Sequence, residues 1–456
     1  MNTKGFTLVE LLAVVIILAL LALLTSTAVT KLVSDAKNDL SNTQIKLIKE
    51  ATEIWMADNL KQLPDNNQCG YLTLGDLKKY GLLDSKILDP KNNKNIDDDL
   101  IIKISATTSE YGKLIRNIEV NPENVDGCNH FLTLAQYITD LYNNSTTKIN
   151  SLEVDGITYS LDTTNNLMDD RLGGTVSSGG NIRYYGANPN NYVDIGDRDS
   201  SGNVILWRII GVFETKYATT DKPCDTDSDG DLHYDNCATD KLVKIIRADS
   251  IRDYVWDYTS SGSYTNNWST ATLNTMLNGA YYNSTTTSYY NRTKPTSVDF
   301  TSNGLSANAQ SKVENVLWNL GGTSTYEIPY TNDWYVYERG TTRYTGNPIE
   351  WVGKIGLMYP SDYGYGADLG QCNKEPYNYD TTTSCKGTDW ISINQWTITP
   401  ISNYWSGVFA VGSPGNVSHC DASNPIEVRP VLYLKSDVSI VGTGTTSGGI
   451  SYYVVE

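Results

Sequence analysis

The stretch Lys4-Gly5-Phe6-Thr7-Leu8-Val9-Glu10-Leu11-Leu12 opens a mostly apolar run that continues to Leu24. From Phe6 to Leu24 the only charged side chain is that of Glu10. About 20 helical residues, each rising about 1.5 Å, match the hydrocarbon thickness of a bilayer. The run therefore predicts a transmembrane helix, which we place over residues 6–28.

The order of residues around this run differs from that of a secretory signal peptide, in which the cleavage site follows the apolar region. Here Gly5 precedes the run and directly follows Lys4, so cleavage after Gly5 would leave the helix on the mature chain. A carboxylate in hydrocarbon costs roughly 2.5–3.5 kcal/mol on insertion scales, so Glu10 needs a partner. The alternative interpretation is an ordinary signal anchor with an accidental glutamate.

The segment Gly5-Phe6-Thr7-Leu8-Val9-Glu10 resembles the prepilin motif of type IV pilins and pseudopilins. The resemblance implies that a prepilin peptidase cleaves after Gly5 and that the new N-terminus, Phe6, is methylated. It implies that Glu10 pairs with the N-terminal amine of a neighbouring subunit in a homo- or hetero-oligomer with other pilins. The protein would span the membrane once before assembly and then become part of an extracellular surface filament.

Neither Gly nor Pro interrupts residues 6–63, which predicts one continuous helix. Many type IV pilins carry an early helix-breaking proline, whereas the first proline here is Pro64. Beyond the membrane the helix shows an apolar stripe at steps of three and four, predicted to pack under a globular domain. The stripe comprises Leu32, Ala36, Leu40, Thr43, Leu47, Ala51 and Ile54.

Residues 64–143 predict a small pilin-like α/β subdomain. A short helix capped near Thr73 and ended by Gly81 precedes two strands, 100–105 and 113–120, and a helix at 132–143. This arrangement resembles the globular subdomain of pseudopilin-like proteins in Gram-positive bacteria. The polar, turn-rich residues 144–180 predict a linker.

Residues 181–456 predict a large domain with strands at 204–213, 242–247 and 428–434 separated by long loops. Pieces such as Trp207-Arg208-Ile209-Ile210-Gly211 and Val428-Arg429-Pro430-Val431-Leu432 resemble a bacterial surface domain with a C-type-lectin-like or formylglycine-enzyme-like fold. The predicted fold class is therefore α+β. It combines residues 1–5 as leader, the helix 6–63, the small subdomain and a loop-rich C-type-lectin-like β domain.

The chain has seven cysteines, which predict disulfides in an oxidising exterior. The alternative is buried free thiols, which the polar surroundings of the last five cysteines disfavour. Grouping them by domain gives three disulfides and leaves Cys420 either free or paired between subunits. The predicted pairs are Cys69 with Cys128, Cys224 with Cys237, and Cys372 with Cys385.

An acidic loop between the second pair resembles the first half of a calcium-binding loop, with Asp225, Asp227, Asp229 and Asp231 at alternate positions. The twelfth position is Asn236, where an EF-hand has a bidentate glutamate. Two interpretations stay open: a weak calcium site, and a solvated acidic hairpin tip closed by a disulfide. No other cofactor is predicted.

Composition excludes several classes of function. The net charge of −17 and the lack of basic blocks disfavour nucleic-acid binding, which depends on cationic side chains. Three histidines and the absence of a phosphate-binding glycine loop or a nucleophile elbow favour a protein that is not an enzyme.

Two functional hypotheses from different classes follow. The first is a pilin or pseudopilin subunit that displays the large C-terminal domain on a filament. The second is a surface adhesin for a glycan or protein ligand, for which the helix is only an anchor. Tryptophans that could stack on sugar rings support the adhesin hypothesis, although a single tryptophan more often fills a hydrophobic core. They are Trp256, Trp268, Trp318, Trp334, Trp351, Trp390, Trp396 and Trp405.

Overall fold

The structure, a computed structural model, describes residues 42–57, 59, 63–89, 94–125, 128–171, 180–225, 232–292, 295–379, 384–385 and 387–456. The leader and the transmembrane part of the predicted helix lie outside these residues. The chain divides into two compact units, Met1–Phe131 and Leu132–Glu456, called here the first and second units.

The first unit combines a helix with a small sheet. Its elements are α1 (residues 42–57), β1 (Cys69–Thr73), α2 (Leu74–Lys79), β2 (Leu88–Asp89), β3 (Lys94–Asn95), β4 (Ile101–Thr108), β5 (Leu114–Val120) and β6 (Asn129–His130). The sheet has the strand order β5-β4-β1-β6. Strand β1 runs antiparallel to β4 and parallel to β6, while β2 and β3 form a separate hairpin.

The local predictions for this unit are confirmed. Thr73 caps α2 in a capping box with Asp76, in which each side chain bonds the other residue's backbone amide. Gly81 follows the helix with a φ of 71°, a conformation that favours glycine. The two predicted strands are β4 and β5, paired over Ile102–Thr108.

The second unit is mostly β. Its strands are β7 (Lys148–Val154), β8 (Ile157–Asp162), β9 (Leu167–Asp169), β10 (Ile182–Tyr184), β11 (Tyr192–Asp194), β12 (Trp207–Tyr217), β13 (Pro223–Asp225), β14 (Asp235–Arg247), β15 (Arg252–Tyr254), β16 (Thr286–Tyr290), β17 (Pro295–Asp299), β18 (Val316–Asn319), β19 (Glu350–Gly353), β20 (Ile355–Gly356), β21 (Gln395–Pro400), β22 (Gly407–Val411), β23 (Val417–Asp421), β24 (Ile426–Val428), β25 (Val431–Leu434), β26 (Ile440–Thr445) and β27 (Ser451–Val455). Its α-helices are α3 (Leu134–Asn143), α4 (Thr272–Met276), α5 (Ala307–Lys312), α6 (Thr331–Glu338) and α7 (Pro360–Gly366). Short 3-10 turns lie at Trp268–Thr270 and Pro376–Asn378, and a π-helical turn at Leu277–Tyr281.

A fourteen-stranded sheet organises this unit, with the main path β20-β25-β14-β12-β10-β9-β8-β7. Strands β12 and β14 are long antiparallel neighbours and are buried on both faces along much of their length. This burial explains why the sequence shows apolar runs there rather than alternation. A second sheet has the order β15-β24-β21-β22-β23.

Gly211 allows β10 to approach β12. The pairing of β12 with β14 shifts register between Ile209 and Gly211, and a Cβ at Gly211 would lie 2.3 Å from the carbonyl oxygen of Ile182. Any larger residue would push β10 away from its neighbour. The glycine therefore sets the position of Arg183, which pairs with Gly211 in the sheet.

The unit boundary differs from the predicted one. Helix α3 belongs to the second unit, because its apolar side chains, including Leu134 and Ile138, pack in the large core of that unit. Residues 144–171 are not a linker but form β7, β8 and β9 at the edge of the main sheet. The polar residues of these strands resemble those of a linker, yet Ser160 and Asp162 are buried together with Tyr159 and Leu161.

The fold class is therefore β-rich α+β, as predicted at the coarse level. The large domain contains far more strands than the three predicted, since most of them are short pieces within polar sequence. The C-type-lectin-like fold stays a prediction.

Candidate functional site

Helix α1 packs one face on the sheet of the first unit. Ile48, Ala51, Thr52 and Trp55 are buried on this face. The ring of Trp55 lies 5.3 Å from the ring of Phe131, measured between centroids. The tryptophan thus fixes the rotation of the helix about its axis.

A second apolar face of α1 stays uncovered. Leu47 is 48% exposed and Ile54 is 53% exposed. The two are seven residues apart, so they lie almost on the same side of the helix. They lie roughly 100° around the axis from the buried face, at about 100° per residue. The predicted stripe is therefore wrong as a buried face: of its four described members, Ala51 is buried, whereas Thr43, Leu47 and Ile54 are exposed.

The predicted processing and assembly residues, Gly5, Phe6 and Glu10, lie outside the described residues. Within the part of the chain that is described, no helix has the length and apolar character needed to cross a membrane. The predicted span 6–28 also lies outside that part.

The acidic loop lies at the tip of the hairpin formed by β13 and β14, which pair at Pro223–Cys237 and Asp225–Asp235. The predicted calcium ligands Asp227, Asp229 and Asp231, and the side chain of Asp225, lie outside the described structure. No cluster of three or more His, Cys, Asp or Glu suited to a metal ion occurs among the described residues. The calcium site stays a prediction.

Glu350 holds the described end of this loop against β19. Its buried carboxylate lies 2.8 Å from Nδ1 of His233 and accepts a hydrogen bond from the backbone amide of Tyr234 at 2.6 Å. The loop is thus anchored on both sides, by this carboxylate and by the nearby Cys224–Cys237 disulfide.

The structure contains the three disulfides in the predicted pairs. Cys69 bonds Cys128, and the other two bridges, Cys224–Cys237 and Cys372–Cys385, each span 13 residues of sequence. Cys420 lies half-buried on β23 and forms no disulfide among the described residues. Burial raises the pKa of its thiol, which favours the less reactive protonated form.

The second unit also contains a group of charges that is buried except for the partly exposed Arg339, called here the charge network, which the sequence did not predict. It consists of three cations and three anions: Arg183, Lys244, Arg339, Asp170, Glu338 and Asp362. Arg183 lies in β10, Lys244 lies in β14, and Asp170 directly follows β9. The other three lie in α6 and α7 or directly after α6. Because the formal charges cancel, the network requires no external counter-ion.

Asp362 is the centre of the network. Its carboxylate accepts hydrogen bonds from Lys244 Nζ and, at 3.0 Å, from an Nη atom of Arg183. It also caps α7 by accepting the backbone amide of Tyr359 at 2.9 Å. Burial alone would raise the pKa of Asp362, but the two cations hold it below its ordinary value.

The remaining members are paired in the same way. Arg183 Nε donates to Asp170 at 2.6 Å, and its guanidinium lies 4.5 Å from the ring centroid of Phe213. The Glu338 carboxylate accepts a hydrogen bond from the backbone amide of Ser361 at 2.8 Å and another from the Arg339 guanidinium at 3.2 Å.

Burial shifts two pKa values in this network toward neutrality. It lowers the pKa of Lys244 to about 8, despite the opposing effect of Asp362. It raises the pKa of Glu338 to about 7, despite the opposing effect of Arg339. The arrangement joins β10 and β14 to helices α6 and α7, and its chemistry is that of a structural clamp.

The sequence carried one signal for the network. Arg183 and Lys244 interrupt apolar strands, as in Val243-Lys244-Ile245-Ile246, and a charge in a buried strand needs a partner. The partners themselves are not local, since Arg183 and Asp362 are 179 residues apart.

Comparisons with known proteins identify one matching segment. Residues 1–26 match the family model described as the prokaryotic N-terminal methylation motif. No match was found among curated proteins or among solved structures. The matched segment includes Gly5, Phe6 and Glu10, and the chain thus begins with a type IV pilin-like prepilin N-terminus.

Proposed function

We propose that this protein is a type IV pilin or pseudopilin subunit, processed after Gly5 and methylated on Phe6. It assembles through its N-terminal helix into a surface filament that displays the second unit. The observation that carries this proposal is the match of residues 1–26 to the N-terminal methylation motif. The role is structural and non-enzymatic, and its partners are other pilin subunits and the prepilin peptidase.

Glu10 has the central part in this assembly. Within the membrane its carboxylate carries the desolvation cost of an unpaired charge. The positive amine of a neighbour's processed N-terminus would remove that cost, so growth of the filament is favoured over the free subunit.

The uncovered face of α1 supports the same proposal. Leu47 and Ile54 are half exposed. Complete burial of such a side chain contributes about 1.5–3 kcal/mol of favourable free energy, and roughly half of this would be gained on burying the exposed half of each. A neighbouring helix in a filament would cover both residues. Repeated in every subunit, this contact would extend assembly beyond the membrane segment.

Substitution of Glu10 tests the assembly role. We expect Glu10→Ala to leave the protein in the membrane fraction and to abolish its appearance in filaments sheared from the cell surface. Glu50→Ala is the matched control, because Glu50 is an exposed glutamate on α1. Mass spectrometry should find a methylated Phe6 at the N-terminus of the wild-type protein. A mature wild-type chain that still begins with Met1, or one absent from sheared filaments, would contradict the proposal.

Substitution of the uncovered face tests the lateral contact. The double variant Leu47→Asn, Ile54→Asn should lower filament yield while membrane insertion and processing continue. Ile328→Asn is the control, since Ile328 is an exposed apolar residue of the second unit. Equal filament yields for both variants would show that this face of α1 has no part in assembly.

The adhesin hypothesis stays open as the alternative, in which the helix serves as an anchor only. It depends on whether the surface of the second unit binds a ligand.

A further inference from the structure

Four aromatic side chains form a continuous row on the second unit: Tyr258, Tyr264, Trp405 and Tyr404. Tyr258 and Tyr264 stack with ring centroids 5.7 Å apart and planes 13° from parallel. Tyr264 lies 5.1 Å from Trp405, which lies 6.1 Å from Tyr404. These four residues are called here the aromatic row.

The aromatic row is open to solvent. Trp405 is 41% exposed and Tyr404 is 44% exposed, while Tyr258 and Tyr264 are half-buried. The tryptophans nearest to this segment in sequence, Trp256 and Trp268, are by contrast fully buried. Stacked rings at the surface leave apolar area in water, which a ligand with an apolar face would cover.

The two loops that carry the row are held rigidly by Asn266, which is fully buried. Its side-chain amide donates to the carbonyl oxygens of Ile401 at 2.9 Å and of Tyr404 and Gly407 at 3.0 Å. Its backbone amide donates to the carbonyl oxygen of Trp405 at 2.9 Å. These bonds join loop 258–270 to loop 401–407, so the rings are positioned before any ligand arrives.

Asp257 and Asn347 reinforce the same scaffold. The buried carboxylate of Asp257 accepts the backbone amides of Thr265 at 2.8 Å and of Thr272 at 3.0 Å. The side chain of Asn347 donates to the Asn266 side-chain oxygen at 2.8 Å. A preorganised surface of this kind lowers the entropic cost of binding.

The charge of these loops restricts the chemistry of the ligand. Residues 258–270 and 401–407 contain no Asp, Glu, Lys, Arg or His, although the chain carries a net charge of −17. Around the rings the loops instead offer Ser, Thr and Asn side chains. An anionic or cationic partner would find no complementary charge in either loop, whereas an uncharged ligand rich in hydroxyl groups would find hydrogen-bonding partners.

From these observations we infer that the aromatic row is a binding site for a neutral saccharide. A pyranose ring has an apolar face of C–H groups and hydroxyl groups around its edge, which matches flat rings bordered by polar side chains. The sugar stacks on Trp405 and the neighbouring tyrosines, and its hydroxyl groups bond the polar side chains of the loops. This inference goes beyond the filament role and does not depend on it.

Binding of defined oligosaccharides to the full-length mature protein in detergent micelles tests the inference. The neutral probes are cellohexaose, fully N-acetylated chitohexaose and mannohexaose, and a hexamer of galacturonic acid is the anionic comparison. We expect at least one neutral probe to bind in calorimetry and to change tryptophan fluorescence. A preference for the N-acetylated chitohexaose would point to an N-acetylhexosamine polymer, such as one in a cell wall, and a preference for either of the other two to a hexose glycan.

Trp405→Ala should lower the affinity for that probe by about tenfold or more, as expected for a central aromatic contact. The substitution leaves the backbone bond from Asn266 in place, and near-ultraviolet circular dichroism checks the fold. Tyr111→Ala is the matched control, because Tyr111 is an aromatic residue that is 95% exposed in the first unit. Trp405→Phe should retain most of the affinity.

Three results would overturn the inference. They are the absence of binding by all neutral probes, preferential binding of the galacturonic acid hexamer, and equal losses for Trp405→Ala and Tyr111→Ala. Self-association of the wild-type protein that Trp405→Ala abolishes, without sugar binding, would assign the row to a second copy of the chain instead.

Discussion

Removing one charge from the network should cost at least as much as removing a matched pair. Lys244→Met leaves two cations against three anions, and Asp362→Asn leaves three cations against two anions. In each variant one buried charge has no counterpart. The double variant again has equal numbers of both signs, and the Asn side chain still has an oxygen that can cap α7.

The loss of stability expected for each single variant follows from the burial of both side chains. Both side chains are almost fully buried, and breaking a buried ion pair by removing one partner costs about 3–5 kcal/mol. That is a large part of a total stability of about 5–15 kcal/mol. Since the double variant leaves no uncompensated charge, we expect it to be no less stable than either single variant. The coupling free energy in the cycle should then be about 3 kcal/mol.

Urea unfolding of the full chain in detergent, followed by tryptophan fluorescence, measures these differences. Of the 10 tryptophans, Trp55 alone belongs to the first unit, so the signal reports mainly on the second. Arg198→Met is the control, because Arg198 pairs with Asp194 at 2.8 Å but is 44% exposed, and such a pair contributes at most about 1 kcal/mol. Additive single-variant costs, or single costs as small as that of the control, would refute the reasoning.

Two further predictions concern the same unit. Burial raises the pKa of Glu338 from 4.5 to about 7, so between these values the folded state keeps a proton that the unfolded state has lost. The free energy of unfolding should therefore fall by up to about 3 kcal/mol as pH rises through this window. In Glu338→Gln, which cannot titrate at this position, the urea midpoint should depend less on pH between about pH 4 and 8. Gly211→Ala should destabilise the unit by roughly 1–3 kcal/mol, because its Cβ meets the Ile182 carbonyl oxygen at 2.3 Å. Gly442→Ala, where no atom lies within 4 Å of the added Cβ, should leave thermal unfolding nearly unchanged, and a similar shift for both would contradict the packing argument.

Features that depend on neighbouring residues were predictable from the sequence. The Thr73 cap, the stop at Gly81 and the strand 114–120 depend on side chains within a few positions of one another. The disulfide pairs followed from grouping the cysteines by domain, which worked because each bridge closes within one unit.

Features that depend on packing were not predictable. Helix α3 is amphipathic, and its apolar face suits any apolar surface, so the sequence alone placed it in the wrong unit. The apolar positions of α1 follow steps of three and four, yet Trp55 and Ile48, rather than Leu47 and Ile54, occupy the core. Only the shape of the sheet beneath decides which side of such a helix is buried.

The candidate saccharide site shows the same limit. Trp405 was among eight tryptophans that could contact sugar, and the sequence could not distinguish it from buried ones such as Trp256. Its exposure depends on Asn266, which holds the loop from a position 139 residues earlier in the chain. The uncharged character of both loops was visible in the sequence, but it gains meaning only once the loops are known to be adjacent.

The two proposed activities are separable, and this allows each to be tested without the other. Glu10→Ala should abolish filament assembly but leave the affinity for a neutral hexasaccharide unchanged, because the aromatic row lies entirely within the second unit. Trp405→Ala should lower that affinity but leave filaments intact. Loss of both functions in either variant would mean that the variant has unfolded, which near-ultraviolet circular dichroism would detect. Loss of both functions in a variant that keeps its fold would contradict the separation, because the row and its Asn266 scaffold are complete within the single chain.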